Sequence, residues 1–547
     1  MGRAAAATSL ISLVFLIGGC GGGGGTTGST ALGSSTATKT INVSGRLTYT
    51  DYDVGAGGID YANPVERPIR GAVVELQIPP GTKFGAINSS DNGEYSFSGV
   101  PANAQIRVLV KAALGFTSIP DTTVVDNTNG GALYSIADDT NTGDADMTIN
   151  LNAGSGWDNA ATAYTGTRAA APFAILDVIY QAQQLIKSAD PAVNFPILPV
   201  NWSPDNRPST AINPAVGDIG TSHYSPQDKA LFILGATNLD TDEYDSSIIG
   251  HEWSHYFEAN FSRSDNPGGG HNVGDLVHPS LAFGEGYGYA MGAIITGVPF
   301  DVDTGGPNQA AGTVRSIEND STPPTATVPG LPTLRLDGYY SETSVQEILY
   351  DLFDGGPGDD DAIALGFGPI YQTLIGGQKG TPAFTSIFSF MHHLKKLVPG
   401  QAAAIDALAL GENIDLSADS EFEAPSDPIY TDITLATSPL TSQVFDTFGP
   451  ITATDPGNKI LNQRFFRFVA PAAGCFSLTV TPTNPTTADV VIFAPDGGGV
   501  DVNGPGVAES FSGQLALNET STFAVGAFAA NAEFSVAIAP APAAACP

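Results

Sequence analysis

Alternating apolar and polar positions divide the chain into three stretches. In residues 41–152, Val74-Glu75-Leu76-Gln77-Ile78 alternates, and Ile106-Arg107-Val108-Leu109-Val110-Lys111 does so in part. Ser90-Asp91-Asn92-Gly93 is a turn signal leading into Glu94-Tyr95-Ser96-Phe97. A period of two puts alternate side chains on one face, which predicts an all-β module. Between about 155 and 425 the spacing moves toward 3.6. Phe173, Leu176, Ile179, Tyr180 and Ile186 predict a helix over 170–187. A run of small residues predicts a second helix over 280–296, and Val345, Ile348, Leu349, Leu352 and Phe353 a third over 345–353. A fourth is predicted over 382–397. The apolar runs 196–200 and 230–234, bounded by turn residues, predict strands. Alternation returns over 440–547 in Phe466/Phe468, Phe476/Leu478/Val480, Val490/Ile492, Phe523/Val525 and Phe534/Val536/Ile538. The expected fold is multidomain, with a central α+β domain (155–425) flanked by two all-β sandwich domains (41–152 and 440–547).

Composition agrees with folded domains. A length of 547 residues suits about three or four of them. With 42% hydrophobic and 14% charged residues, the chain is too apolar to be disordered. The formal charge of −35 repels polyanions, so nucleic acid is not an expected partner. At the N-terminus, Arg3 precedes an apolar core over 10–17, too short to span a bilayer. It runs into Leu16-Ile17-Gly18-Gly19-Cys20, which resembles a bacterial lipobox. The resemblance implies that residues 1–20 are a lipoprotein signal peptide, that Cys20 is lipidated, and that the only membrane contact is through this lipid. The protein would then sit in the bacterial cell envelope, anchored at the outer membrane or cell surface, or be secreted. Residues 21–40, rich in Gly, Ser and Thr, read as a flexible tether. With Cys20 acylated, Cys475 and Cys546 remain as an even pair, and export permits a disulfide between them.

The candidate chemistry lies in His251-Glu252-Trp253-Ser254-His255. On a helix, positions i and i+4 share a face one turn apart, so both imidazoles can reach one metal ion. Glu252 lies beside that face, where it can hold a water. Ile248, Ile249, Trp253, Tyr256 and Phe257 would bury the rest of the helix. A catalytic zinc needs a third protein ligand and an open position. Glu285, in Gly284-Glu285-Gly286-Tyr287-Gly288, opens a helix of small residues that could approach closely. Glu258 is the rival ligand, but it lies about 10 Å along the axis from His251.

The H-E-x-x-H with a downstream Gly-Glu-Gly resembles the gluzincin metallopeptidases, fungalysin-like ones included. The likeness covers roughly residues 240–354. It implies a zincin-like peptidase domain in which His251, His255 and Glu285 bind Zn2+ and Glu252 is the general base acting on a protein or peptide substrate. Many gluzincins carry an Asp four residues after the ligand Glu; here that place is Tyr289, and Asp275 is a loose substitute. Tyr340 or Tyr339, and His271 in the loop Asn266-Pro267-Gly268-Gly269-Gly270-His271, are candidate donors to an oxyanion. The 230–234 strand is a candidate edge for an extended peptide. Pro68-Ile69-Arg70-Gly71-Ala72 with Asp91 to Phe97 and Val100-Pro101 resembles carboxypeptidase-regulatory-like domains. Arg464-Phe465-Phe466-Arg467-Phe468, Ala473-Gly474 and Ala488-Asp489-Val490 resemble bacterial pre-peptidase C-terminal domains, which often follow secreted proteases. Asp359-Asp360-Asp361 offers oxygens for Ca2+ but lacks the full spacing of a calcium loop, and a solvated loop is the plainer reading.

Overall fold

The structure, a computed structural model, describes residues 39–115, 120–318, 325–326, 334–355, 363–445, 457–528 and 531–546. The expected signal segment with Cys20, nearly all of the tether, and Asp359-Asp360-Asp361 lie outside these residues.

The first β region is built on a long strand, Thr40–Asp51. Its neighbours are Glu94–Pro101 and Val65–Pro68, both antiparallel, and Met147–Thr148 and Leu151–Ala153, both parallel. A second sheet runs Ser135–Asn141, Gln105–Lys111, Val73–Gln77, Lys83–Asn88. Inward residues of both, including Val43, Leu47, Val74, Leu76, Val108 and Val110, share one apolar core. This is a sandwich-like arrangement, and the alternation in 74–78 and 106–111 reports its inner face.

The expected division between 41–152 and 155–425 runs through a third sheet. Pro120–Asp126 pairs in parallel with Leu198–Trp202, which pairs in parallel with Ala230–Ile233. The strand His223–Ser225 closes this order antiparallel to Ala230–Ile233. Ala230–Ile233 is therefore interior, and the edge belongs to His223–Ser225. An uninterrupted apolar run is what a strand covered on both sides requires.

Among the described residues, seven α-helices follow or pack on these sheets: α1 Ala171–Ala189, α2 Ser246–Phe261, α3 Pro279–Thr296, α4 Glu342–Asp351, α5 Phe367–Thr373, α6 Ile387–Leu397 and α7 Ala402–Gly411. The third predicted helix starts earlier, because Ser341 caps it by accepting from the Ser344 amide. The fourth starts later, at the capping box of Ser386 and Ser389. α5 and α7 carry no strong apolar period and were not predicted. Among the described residues, no helix is long and apolar enough to cross a membrane.

The C-terminal region is a second pair of sheets with its own apolar core, including Phe466, Phe468, Val480, Val490, Val525 and Phe534. Cys475 and Cys546 form a disulfide.

α3 is held at its start in an unusual way. His278 is its N-cap, and the imidazole Nδ1 accepts from the Ser280 amide at 3.1 Å. Only a neutral ring can do so. Burial pushes the His278 imidazole down to about 3. The folded value lies below the ordinary value near 6.5, so the folded state binds fewer protons between the two. The stability tied to neutral His278 is fully present above pH 6.5 and is lost as pH falls toward 3, by up to about 1.4 kcal/mol per pH unit. We expect His278→Asn, which keeps an N-cap acceptor without titrating, to flatten the acid limb of stability against pH in this window, as measured by urea unfolding.

Candidate metal centre

α2 and α3 cross with almost no side chain between them. A Cβ on Gly292 would lie 2.6 Å from the Ser247 carbonyl oxygen, and one on Gly250 would lie 3.0 Å from the Gly292 Cα. A Cβ on Gly288 would lie within 2.8–2.9 Å of three atoms of the His251 ring. Gly284, Gly288 and Gly292 recur every four residues and so share one face of α3. On another face, a Cβ on Gly286 would strike Val345 and the Glu342 carbonyl of α4 at 2.6 and 2.7 Å. Nearly every residue of α3 is buried, and the helix has no solvent face to make it amphipathic.

The close approach brings three ligand atoms together. His251 Nε2 lies 3.2 Å from Glu285 Oε2, His255 Nε2 lies 3.4 Å from the same oxygen, and the two Nε2 atoms are 3.0 Å apart. Two nitrogens at that distance can share only one proton, yet both also face the carboxylate. Ligands at about 2.0–2.1 Å from a tetrahedral ion are separated by roughly 3.4 Å. The donor set and its spacing fit one metal ion. His251 and Glu285 are 6% and 8% exposed, so the group sits under the surface rather than on it. Burial alone would raise the Glu285 carboxyl, but His255 and His251 outweigh it and hold it well below the usual range. Burial likewise opposes a charge on His255, and Glu285 overrides it, pushing the imidazole up to about 10.

Around this group, Glu252 turns toward the sheet. Its Oε2 accepts from the Tyr224 amide at 2.9 Å, so the edge strand His223–Ser225 fixes the carboxylate. Asn266 Nδ2 donates to Glu285 Oε1 at 2.9 Å, and Asn266 Oδ1 accepts from the Gly268 amide. The Gly-rich loop is thereby tied to Glu285. His271 reaches the rim, with Nε2 3.8 Å from Glu285 Oε1 and Nδ1 2.8 Å from Glu342 Oε1. Glu342 is 2% exposed, and burial raises its carboxyl.

Tyr340 is not brought to the site. Its hydroxyl donates to the Arg335 carbonyl at 3.0 Å, and its ring lines a separate cavity of about 220 Å³ with His278 and Arg464. Tyr339 lines the same cavity. Asp275 pairs with Lys459 at 3.3 Å and accepts from the Asn272 amide. Glu258 falls outside the converging ligand group. It is 2% exposed, one carboxylate oxygen has no partner, and burial pushes it up to about 7.

Tyr224, Asn266 and Glu342 were not read from the sequence, and Gly288 was read only as one of the small residues of its helix. The four-residue glycine spacing was the available signal for Gly288. The partners of the other three depend on where distant segments meet. No known family model matches the chain, and no curated protein matches it.

The glycine face sets a clear expectation. Gly→Ala in a helix interior gains about 1 kcal/mol of propensity. At Gly292 the new methyl meets backbone, which cannot rotate away, and overpacking of this kind costs about 1–3 kcal/mol. We expect Gly292→Ala to be destabilised on balance in equilibrium unfolding. At Gly288 the methyl meets the His251 ring instead, and we expect Gly288→Ala to lower metal affinity about 10- to 100-fold, read by competition with a chromophoric chelator.

Proposed function

We propose that the chain is a zinc-dependent endopeptidase with a zincin-like central domain, exported and lipid-anchored through Cys20. The observation that carries this reading is the convergence of His251, His255 and Glu285 from two helices, with Glu252 held alongside. The buried orphan contact between two imidazole Nε2 atoms supports a cation among them. Zinc, when bound by His251, His255 and Glu285, would polarise a scissile carbonyl and make a water more acidic.

The chain's own groups then have separable tasks. Glu252 takes the proton from the attacking water and passes it to the leaving amide nitrogen. The Tyr224 amide occupies Oε2 and holds the carboxylate in place, leaving Oε1 to handle the proton. The edge strand His223–Ser225 offers main-chain groups to an extended peptide, in place of the interior strand at 230–233. His271, oriented through Nδ1 by Glu342, donates to the developing oxyanion from the rim of the site.

Two observations favour a second reading, a catalytically silent surface-binding lipoprotein that keeps a peptidase fold. His251 Nδ1 is buried with no partner, and Tyr289 stands where a supporting carboxylate is common. The test separates the two. Zinc content and casein cleavage are measured on the wild type and on Glu252→Gln. We expect one zinc per chain in both, and cleavage slowed by about 10²- to 10⁴-fold in the variant. One zinc in both with no cleavage by the wild type would favour the silent fold. Absence of stoichiometric zinc would reject the metal centre itself.

A further inference from the structure

A second group of converging ligands lies at the other side of α2. It consists of Asp240, Asp242 and Asp303, whose ligand oxygens all lie within 4.8 Å of one another. Asp240 sits on a short strand paired with Gly305 of the hairpin strand Phe300–Gly305, which carries Asp303. Asp242 lies in the turn that leads into α2. The next carboxylate, Asp245, is already satisfied, accepting from the Thr304 amide at 2.7 Å and from its hydroxyl.

Acidic side chains often gather without an ion, so the decisive feature is Asp242. It is 3% exposed. One of its oxygens, Oδ2, accepts from the Ser222 hydroxyl, which is itself fixed by accepting from the Leu234 amide. The other oxygen, Oδ1, is buried with no partner, and so is Asp240 Oδ1. A buried carboxylate oxygen without a donor is costly. The charges acting on the three groups are all carboxylates. Burial with Asp303 pushes the Asp240 carboxyl up to about 6, burial with Asp245 and Asp240 raises Asp242, and burial with Asp301 raises Asp303. Against this stand only the Ser222 hydroxyl at Asp242 and a hydrogen bond between Asp242 and Asp240, and no cation acts on the three.

We propose that Asp240, Asp242 and Asp303 form a calcium site. Three carboxylates with no nitrogen or sulfur donor select a hard cation. Their oxygens fit within the roughly 4.6–5.2 Å span of a shell with 2.3–2.6 Å bonds. A turn and a hairpin supply an irregular cage, which suits Ca2+ better than the strict octahedron of Mg2+. The ion would join the turn before α2 to the hairpin after α3. Asp245 starts α2, and six residues of helix put His251 about 9 Å further along the axis. The cation therefore bolts together the two helices of the metal centre from outside it. The inference uses none of the metal-centre ligands and does not depend on hydrolysis.

The test is calcium titration calorimetry and thermal melting of the full chain in calcium-depleted buffer, with Ca2+ as the probe. We expect one Ca2+ per chain at this site and a melting midpoint raised by about 5 °C at saturation. Asp242→Asn should weaken binding at least 100-fold, and Asp303→Asn, a milder change at a partly exposed position, at least 10-fold. His255→Ala should keep the calcium response, which separates this site from the metal centre. Without calcium, Asp303→Asn should melt no lower than the wild type, because one repelling charge is gone. A wild-type midpoint unmoved by 10 mM Ca2+ would overturn the proposal. So would an Asp303→Asn chain that binds Ca2+ within about threefold of the wild-type affinity, which decides the matter if Asp242→Asn does not fold.

Discussion

Everything in the centre of this molecule depends on how near α2 and α3 can come. The limit is set by hydrogen atoms on Gly288 and Gly292 of α3 and Gly250 of α2, where any other residue would place a carbon. The ring of His251, the backbone of Ser247 and the backbone of Gly292 already occupy that space. Only at this separation does a carboxylate on α3 reach two imidazoles on α2. A longer acidic side chain on a more distant helix would not be equivalent, because each added rotatable bond loosens the geometry that a metal centre needs. The cost is that α3 is rich in glycine and intrinsically a poor helix. It is held by tertiary contacts instead: the His278 cap, the packing of α4 against Gly286, and the aromatic cluster of Phe283, Tyr287 and Phe390.

Buried charge is the second constraint, and it is met differently at each place. Glu243 is fully buried against Arg168, whose guanidinium also lies over Tyr164 and Trp202. Asp265 pairs with Arg263 and accepts from the Thr385 amide. Glu285 has the two histidines. At Glu258 burial wins, pushing the carboxyl up to about 7 against the opposing effects of His255 and Ser264.

The parts legible in the sequence were those with short-range causes. The spacing of His251 and His255 is a property of one helix, and the alternation in 466–468 and 534–538 is a property of single strands. The Cys475–Cys546 pair followed from counting. The illegible parts have long-range causes. Pro120–Asp126 belongs to the sheet of Leu198–Trp202 because two segments over seventy residues apart pair, and nothing local to either announces it. The edge strand is His223-Tyr224-Ser225, three residues with no apolar run, while the conspicuous apolar run at 230–234 lies inside. Tyr340 and His271 looked alike as donors near the third helix and the glycine loop. They are separated by the loop's path, which Asn458 and Lys459 fix from the C-terminal side by binding the carbonyls of Gly268 and Gly270.

The most telling departure is at the far nitrogen of His251. A ligand imidazole usually gives that N–H to a carboxylate, which orients the ring and makes it more basic. Here the ring is oriented by steric confinement. Gly288 leaves a slot that fits it, and the Tyr289 ring meets it edge-on at 4.4 Å between centroids. Tyr289 is held in turn by Arg315, whose guanidinium lies 4.2 Å from its ring centroid and donates to Gln346 of α4. Packing can fix direction as well as a hydrogen bond can, but it cannot supply charge. Leaving the buried Nδ1 of His251 without a partner costs about 1–3 kcal/mol. The glycine slot and the Tyr289 ring thus set by packing the direction that a hydrogen bond would otherwise give this imidazole.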